Sequence, residues 1–171
     1  TECLKNKSQF DIFKKIENYR RQFLKSKNSI KITDLGAGSR VSKNRTRLIK
    51  GIAKNSLKKS FLAQQLFRIT NYLNPQNVIE IGTSLGITTL YFAAVNPDST
   101  IYTLEGCPNT ASIAKQTFNK LSFNNIKQVD GHFNNSLPEL LEKMYTIDLV
   151  YFDGNHTYKS TIEYFNVCKR K

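Results

Sequence analysis

The sequence predicts an α/β fold, a parallel sheet with helices on both faces. Three observations carry that prediction. Apolar runs of strand length, Val78–Ile81, Ile101–Leu104, Ile126–Val129 and Ile147–Phe152, alternate with segments of helical character. The first run ends in a glycine-containing turn, Gly82-Thr83-Ser84-Leu85-Gly86, which opens a helix-like segment. The second run ends in a carboxylate, Glu105, nineteen residues past Gly86. Strand, glycine turn, helix, strand, acid is the order in which an α/β sheet receives a nucleoside-bearing ligand at the carboxyl ends of its strands. Right-handed crossovers place the four strands in the order 3-2-1-4.

The elements follow in order. Ser8 to Lys25 reads as an amphipathic helix, with Phe10, Phe13, Ile16 and Phe23 on one face and basic residues on the other. Asn28 to Leu35 reads as a short extended segment. Asp34–Arg40 (DLGAGSR) looks like a ligand-binding glycine loop by itself. However, the basic stretch Val41–Lys50 behind it lacks a buried-helix pattern. No carboxylate follows at the distance a ribose acceptor needs. It is read as a glycine-containing turn, with a loop over the site as the alternative.

Ser56 to Leu73 is a helix with Leu62, Leu66, Ile69 and Leu73 as its apolar stripe, ended by Asn74-Pro75. Thr88–Val95 and Pro108–Leu121 are the next two helices. Ser136 to Met144 starts with a capping-box pattern, Ser136 with Glu139, and carries Pro138 in its first turn. The unbroken apolar run Ile147–Phe152 marks a central parallel strand. Asn155 to Cys168 closes the helical series.

Composition sets the outer limits. At 171 residues the chain is one domain with an appended segment, long enough to bury a core. Its three cysteines, Cys3, Cys107 and Cys168, form neither a disulfide framework nor a zinc pattern, so a cytoplasmic location is expected. No secretory or membrane-spanning pattern is present in the sequence. The net charge of +13 is uneven, because residues 1–60 hold 17 Lys/Arg against 4 Asp/Glu and residues 61–171 hold 9 against 9. Residues 1–55 are therefore read as a basic, mainly helical N-terminal segment and 56–171 as the ligand-binding domain. The basic segment suits either an acidic partner, nucleic acid included, or a solvated helical surface. The helical spacing of its aromatics favours the second.

Glycine spacing narrows the ligand. A dinucleotide fingerprint needs G-x-G-x-x-G, so that the backbone can approach a pyrophosphate. Ser84 stands where the second glycine would be, and the pattern is E-x-G-x-x-x-G, from Glu80 to Gly86. An acid such as Glu80 repels phosphate and attracts a cation. Glu105, an acceptor-only carboxylate, can take hydrogen bonds from two ribose hydroxyls. A nicotinamide dehydrogenase fits this pattern worst.

Four segments together, Val78–Gly86, Ile101–Gly106 (IYTLEG), Val129–Phe133 (VDGHF) and Ile147–Tyr158 (IDLVYFDGNHTY), resemble the class I S-adenosylmethionine-dependent methyltransferases. The likeness is to the small-molecule O-methyltransferases of the catechol and caffeoyl-CoA type and spans about half of the chain. It implies a Rossmann-like domain that binds S-adenosylmethionine. Glu80, Gly82, Thr83, Ser84 and Gly86 would meet its methionine part and Glu105 with Gly106 its ribose. Gly131, His132 and Phe133 would line the adenine. Thr83 and Ser84 would offer hydroxyls and backbone N–H groups, and Ser84 would also suit a helix cap.

Asp153 ends the fourth strand at the same sheet edge. In the resembled enzymes the matching aspartate is a Mg²⁺ ligand, so the resemblance implies Asp153 as a metal, cofactor-side and catalytic residue. His156 stands where those relatives carry a general-base lysine. The residue suits either that work or a loop-holding hydrogen bond. The acceptor would be a small molecule methylated on oxygen. The alternatives are a non-catalytic binding module and a nucleic-acid methyltransferase, the latter without an Asn/Asp-Pro-Pro-Tyr-like motif after the fourth strand. The resembled fold has seven strands, and this chain stops after the helix following its fourth. The fourth strand is therefore expected to be an open edge through which copies self-associate.

Overall fold

The computed structural model describes residue 5 and residues 7–33 and 45–171. The glycine loop Asp34–Arg40, residues 41–44 of the basic stretch after it, and Cys3 lie outside the described residues. The first helix is α1 (Asp11–Lys25), followed by a small antiparallel pair, β1 (Ser29–Lys31) and β2 (Thr46–Leu48). Helices α2 (Ile49–Ser56) and α3 (Ser60–Leu73) lead into β3 (Asn77–Ile81). Then come α4 (Ile87–Ala93), β4 (Thr100–Glu105), α5 (Pro108–Lys120), β5 (Ile126–Asp130), α6 (Phe133–Glu142), β6 (Leu149–Phe152) and α7 (Tyr158–Cys168).

The last four strands form one parallel sheet in the order β5-β4-β3-β6. Counted from β3, this is the expected 3-2-1-4. The register sets Ile81 opposite both Leu104 and Phe152, and Leu104 opposite Val129. The carboxyl ends of all four strands therefore share one edge, and the candidate site residues from Glu80 to His156 lie on or just beyond it.

Strand alternation assigns the faces. In β3, Ile79 and Ile81 join the α6–α7 side with Leu104, Leu137, Leu141 and Tyr164. Val78 faces the other side, with Phe92, Ala93 and Ile101. Glu80 has the parity of Val78 and so points towards α4, with no solvent exposure. Phe13 and Ile16 of α1 share a core with Ala63, Phe67, Ile87, Leu90, Tyr91 and Phe118. Each such side chain, fully buried, contributes roughly 1.5–3 kcal/mol. The basic segment is thus packed into the same core as the helix behind the glycine turn.

Several helix boundaries differ from the sequence reading. The expected helix from Ser56 is two helices, broken at residues 57–59. The apolar stripe of α3 is one position off: Ala63 and Phe67 are buried, whereas Leu62 and Leu73 are exposed. Tertiary packing selects the face that meets α1 and α4, and that face is not the most apolar one. Helix α6 starts three residues early, because the ring of His132 accepts from the Asn134 N–H (Nδ1, 3.2 Å) and caps it. Ser136 sits inside the helix, its Oγ donating to the His132 carbonyl (3.1 Å). Helix α7 starts at Tyr158, capped by Thr157, which leaves Asn155 and His156 in the preceding loop. Ser84 does not cap α4; Gly86 occupies that place at φ 79°.

Candidate functional site

The loop after β3 is stitched to the end of β4. The N–H groups of Gly82 and Thr83 both donate to the Leu104 carbonyl at 3.0 Å. Ser84 sits at φ 50°, a left-handed conformation uncommon for serine, and its N–H donates to Glu105 Oε2 at 2.7 Å. The other oxygen of Glu105 accepts from the Cys107 N–H at 2.9 Å. Burial pushes the Glu105 carboxyl up, while backbone N–H groups of Cys107, Ser84 and Gly106 pull it down. Glu105 is thus fixed by backbone donors on both sides. A carboxylate offers about four acceptor sites, so three backbone donors leave room for a further hydrogen bond.

Two of the glycines have a packing reason visible in the structure. A Cβ on Gly82 would lie 2.7 Å from the Asp153 carbonyl carbon and 2.8 Å from the Gly154 nitrogen, at φ +108°. A Cβ on Gly86 would lie 2.5 Å from the Phe118 ring. The turn is therefore glycine-rich because β3 meets the β6 loop on one side and α5 on the other. Gly131, at φ +133°, has no such neighbour within 3.8 Å, and its N–H donates to the Glu105 carbonyl at 2.9 Å.

Glu80 is the most unusual group of the edge. Its Oε2 accepts from Thr89 Oγ1 and, at 2.7 Å, from Thr103 Oγ1. Since the Thr103 hydroxyl hydrogen goes to Glu80, the Thr83 hydroxyl at 2.6 Å must donate to Thr103. A relay thus runs from the glycine turn to the carboxyl group. Oε1 is buried with no hydrogen-bond partner among the described residues. Burial pushes the Glu80 pKa up to about 8, against the two threonine hydrogen bonds and with smaller contributions from Asp153 and Glu105. Glu80 is largely protonated at neutral pH, and a cation nearby would favour its ionised form.

The β6 end is built differently. The Asp153 N–H donates to the Ile81 carbonyl at 2.8 Å. Its Oδ1 meets the Lys58 ammonium at 2.6 Å and lies 3.8 Å from His156 Nε2. Burial raises the Asp153 pKa; Lys58 and then His156 lower it. The His156 side chain is 70% exposed, whereas that of Asp153 is 12% exposed. Asn155, at φ 48°, holds the loop instead, donating to Ser160 Oγ (2.9 Å) and the Tyr164 hydroxyl (3.2 Å). The Phe133 ring covers Gly154 and stacks edge-on with Tyr164, 6.1 Å between centroids.

The residues at the β6 end do not fit a Mg²⁺ site. Mg²⁺ asks for oxygen ligands in octahedral array. Asp153 is held by an ammonium, and no group of three or more His, Cys, Asp or Glu side chains among the described residues is placed to hold a metal. The expectation of a metal at Asp153 finds no support here.

The first two strands' ends fit S-adenosylmethionine better. The orphaned oxygen of Glu80 suits a ligand that brings positive charge, which favours the ionised carboxylate. Sequence reasoning missed Thr89, Thr103 and Lys58. The threonines carry no periodic signal that separates them from ordinary helix and strand residues. Lys58 is one lysine of an adjacent pair in a basic segment.

A Rossmann-like sheet in this strand order, with its acids at the carboxyl edge, is the fold of the class I S-adenosylmethionine-dependent methyltransferases. The chain belongs to the methyltransferase-domain family, whose model matches residues 79–171, more than half of it. No curated protein matches it. Among solved structures, the S-adenosylhomocysteine-bound methyltransferase PaMTH1 of Podospora anserina aligns with TM-score 0.68 and 17% identity, over 98% of this chain and 61% of that one. An O-methyltransferase of Bacillus cereus, also in complex with S-adenosylhomocysteine, aligns with TM-score 0.66 and 16% identity, over 96% and 62% of the two chains. TomG of Streptomyces achromogenes, an O-methyltransferase of tomaymycin synthesis in complex with S-adenosylmethionine, gives 0.64 and 15%, over 95% and 61%. The chain spans about three fifths of the length of these structures. No helix among the described residues is long and apolar enough to cross a membrane.

Proposed function

We propose that this chain binds S-adenosylmethionine and serves methyl transfer to an oxygen of a small-molecule acceptor. The observation that carries the reading is the pair of acids at the carboxyl edge. Glu80 is buried, largely neutral and short of one hydrogen-bond partner. Glu105 is oriented by backbone donors beside it. A ligand with a cationic amino acid part and a ribose answers both.

In this reading Glu80, Gly82, Thr83, Ser84 and Gly86 form the wall for the methionine part. Glu105 and Gly106 receive the ribose, and Gly131, His132 and Phe133 border the adenine. When bound, the cofactor supplies a sulfonium methyl, which the acceptor oxygen takes as the C–S bond breaks, leaving S-adenosylhomocysteine. The chain's own part is placement. The fixed turn holds the ligand with few groups left to reorganise, and the Asp153 side of the edge faces the acceptor. The O-methyltransferase structures that share this fold support oxygen as the accepting atom.

Calorimetric titration with S-adenosylhomocysteine tests the reading. Micromolar binding is expected in the wild type. Glu105→Ala removes an acceptor of charge-assisted hydrogen bonds and is expected to weaken binding by about 1.5–3 kcal/mol, roughly 10–150-fold. Wild-type protein that is folded and shows no binding would refute it. Binding without turnover on any phenol, catechol or carboxylic acid offered would favour a non-catalytic module.

A further inference from the structure

We propose that Lys58 is the acceptor-side cation of this site, and that it receives the acceptor as an oxyanion, a phenolate or carboxylate. The proposal rests on the methyl-transfer reading above. Lys58 lies between α2 and α3, far from the strand ends in sequence. Its ammonium nevertheless reaches Asp153 Oδ1 at 2.6 Å, across a separation of 95 residues.

That position is held from behind. Arg20 of α1 is 8% exposed, and its Nη1 donates to the Lys58 carbonyl. The Nε of Arg20 donates to both oxygens of Glu17, at 2.9 and 3.0 Å. Glu17 in turn accepts from the Tyr91 hydroxyl of α4 at 2.7 Å. Two helices that pack in the main core therefore fix the backbone from which Lys58 departs. A lysine that merely solvates a surface needs no such support.

The exposure of the pair points the same way. The Asp153 side chain is 12% exposed and that of Lys58 is 31% exposed. The pair is neither sealed in the core nor loose in solvent. An ammonium has three donors, and Asp153 takes one. The carboxylate orients the ammonium and leaves further donors for a ligand at the sheet edge.

The chemistry follows from charge. A neutral hydroxyl is a poor nucleophile, and a fixed cation nearby lowers the pKa of an acidic hydroxyl and favours its ionised form. The acceptor proton leaves to water before transfer. The oxyanion then forms the O–C bond as the C–S bond of the sulfonium breaks. The electron pair of that bond stays on sulfur, and the negative charge of the oxyanion cancels the positive charge of the sulfonium. An aliphatic alcohol, which ionises too weakly for one ammonium to matter, is a poor acceptor at such a site. Acceptor class is thereby set by Lys58.

The test uses 4-nitrophenol, whose ionised form absorbs in the visible, titrated near neutral pH into the chain saturated with S-adenosylhomocysteine. Wild type is expected to bind the phenolate and raise its ionised fraction above that in buffer. Lys58→Met is expected to weaken phenolate binding at least about tenfold, and Lys58→Arg to stay within about threefold of wild type. S-adenosylhomocysteine affinity should stay within about twofold of wild type in both variants, which also reports that they are folded. Equal phenolate binding by wild type and Lys58→Met, with cofactor affinity intact, overturns the role of Lys58 and leaves the methyl-transfer reading standing. So does wild type that binds S-adenosylhomocysteine but not the phenolate. Wild type that binds no S-adenosylhomocysteine overturns the methyl-transfer reading and this proposal with it.

Discussion

The two halves of the sheet edge are organised in opposite ways. The β3–β4 half is local. Glu80, the glycine turn and Glu105 come from one stretch of chain, and backbone donors and threonine hydroxyls hold them before any ligand arrives. The β6 half is assembled from distance. Asp153 meets a lysine from the N-terminal third, and His156 stands largely in solvent. Preorganisation of the first half suits a ligand common to many reactions. The second half depends on a contact between segments 95 residues apart in the chain.

Substitution at Gly82 should break both halves at once. Its Cβ would run into the Asp153 and Gly154 backbone at 2.7–2.8 Å, with φ at +108°. Gly82→Ala is expected to cost at least about 3 kcal/mol, read by chemical denaturation. Gly131→Ala makes the contrast, since φ is +133° but the nearest atom is 3.8 Å away. There only the backbone cost remains, about 1–3 kcal/mol. Equal losses at the two positions would mean that contact between β3 and the β6 loop does not hold the edge together.

Glu80 sharpens the comparison through pH. Its folded pKa, about 8, stands above the ordinary glutamate value of 4.5. Between those values the folded state keeps a proton that the unfolded state has lost. Its contribution is therefore fully present below about 4.5 and is lost as pH rises through about 8. Stability should fall with pH across that window, and Glu80→Gln, which cannot ionise, should flatten the slope in urea titrations. Cofactor binding that draws Glu80 to its ionised form should release a proton. The calorimetric heat near pH 7 would then depend on the ionisation enthalpy of the buffer. A wild-type slope unchanged in Glu80→Gln would sink the assignment.

Much of this division was legible in the sequence, and the reason is distance along the chain. Glu80, Gly82, Gly86 and Glu105 fall within one strand–turn–helix–strand unit, so their order alone places them together. Strand order followed from the same unit repeated. Lys58 was not legible, because nothing in a basic run says which lysine crosses to a strand end 95 residues on. The ring nitrogen of His132 caps α6, a role the sequence reading did not find. A histidine ring is a less usual cap than the hydroxyl of Ser136, and the capping-box pattern drew the start of the helix to the wrong residue.

The smallest expected effect belongs to His156. Its side chain is 70% exposed and its nitrogen lies 3.8 Å from Asp153, beyond hydrogen-bond distance. The loop is held by Asn155, through Ser160 and Tyr164. His156→Ala should leave stability within about 0.5 kcal/mol of wild type, whereas Asn155→Ala should cost about 1–2 kcal/mol by removing two hydrogen bonds and setting alanine at φ 48°. Thermal and urea denaturation of the two variants measures this directly. If His156→Ala proved the more damaging, the β6 half would be held by its histidine. His156 would then be a structural residue of the loop, and proton transfer there would fall to another group.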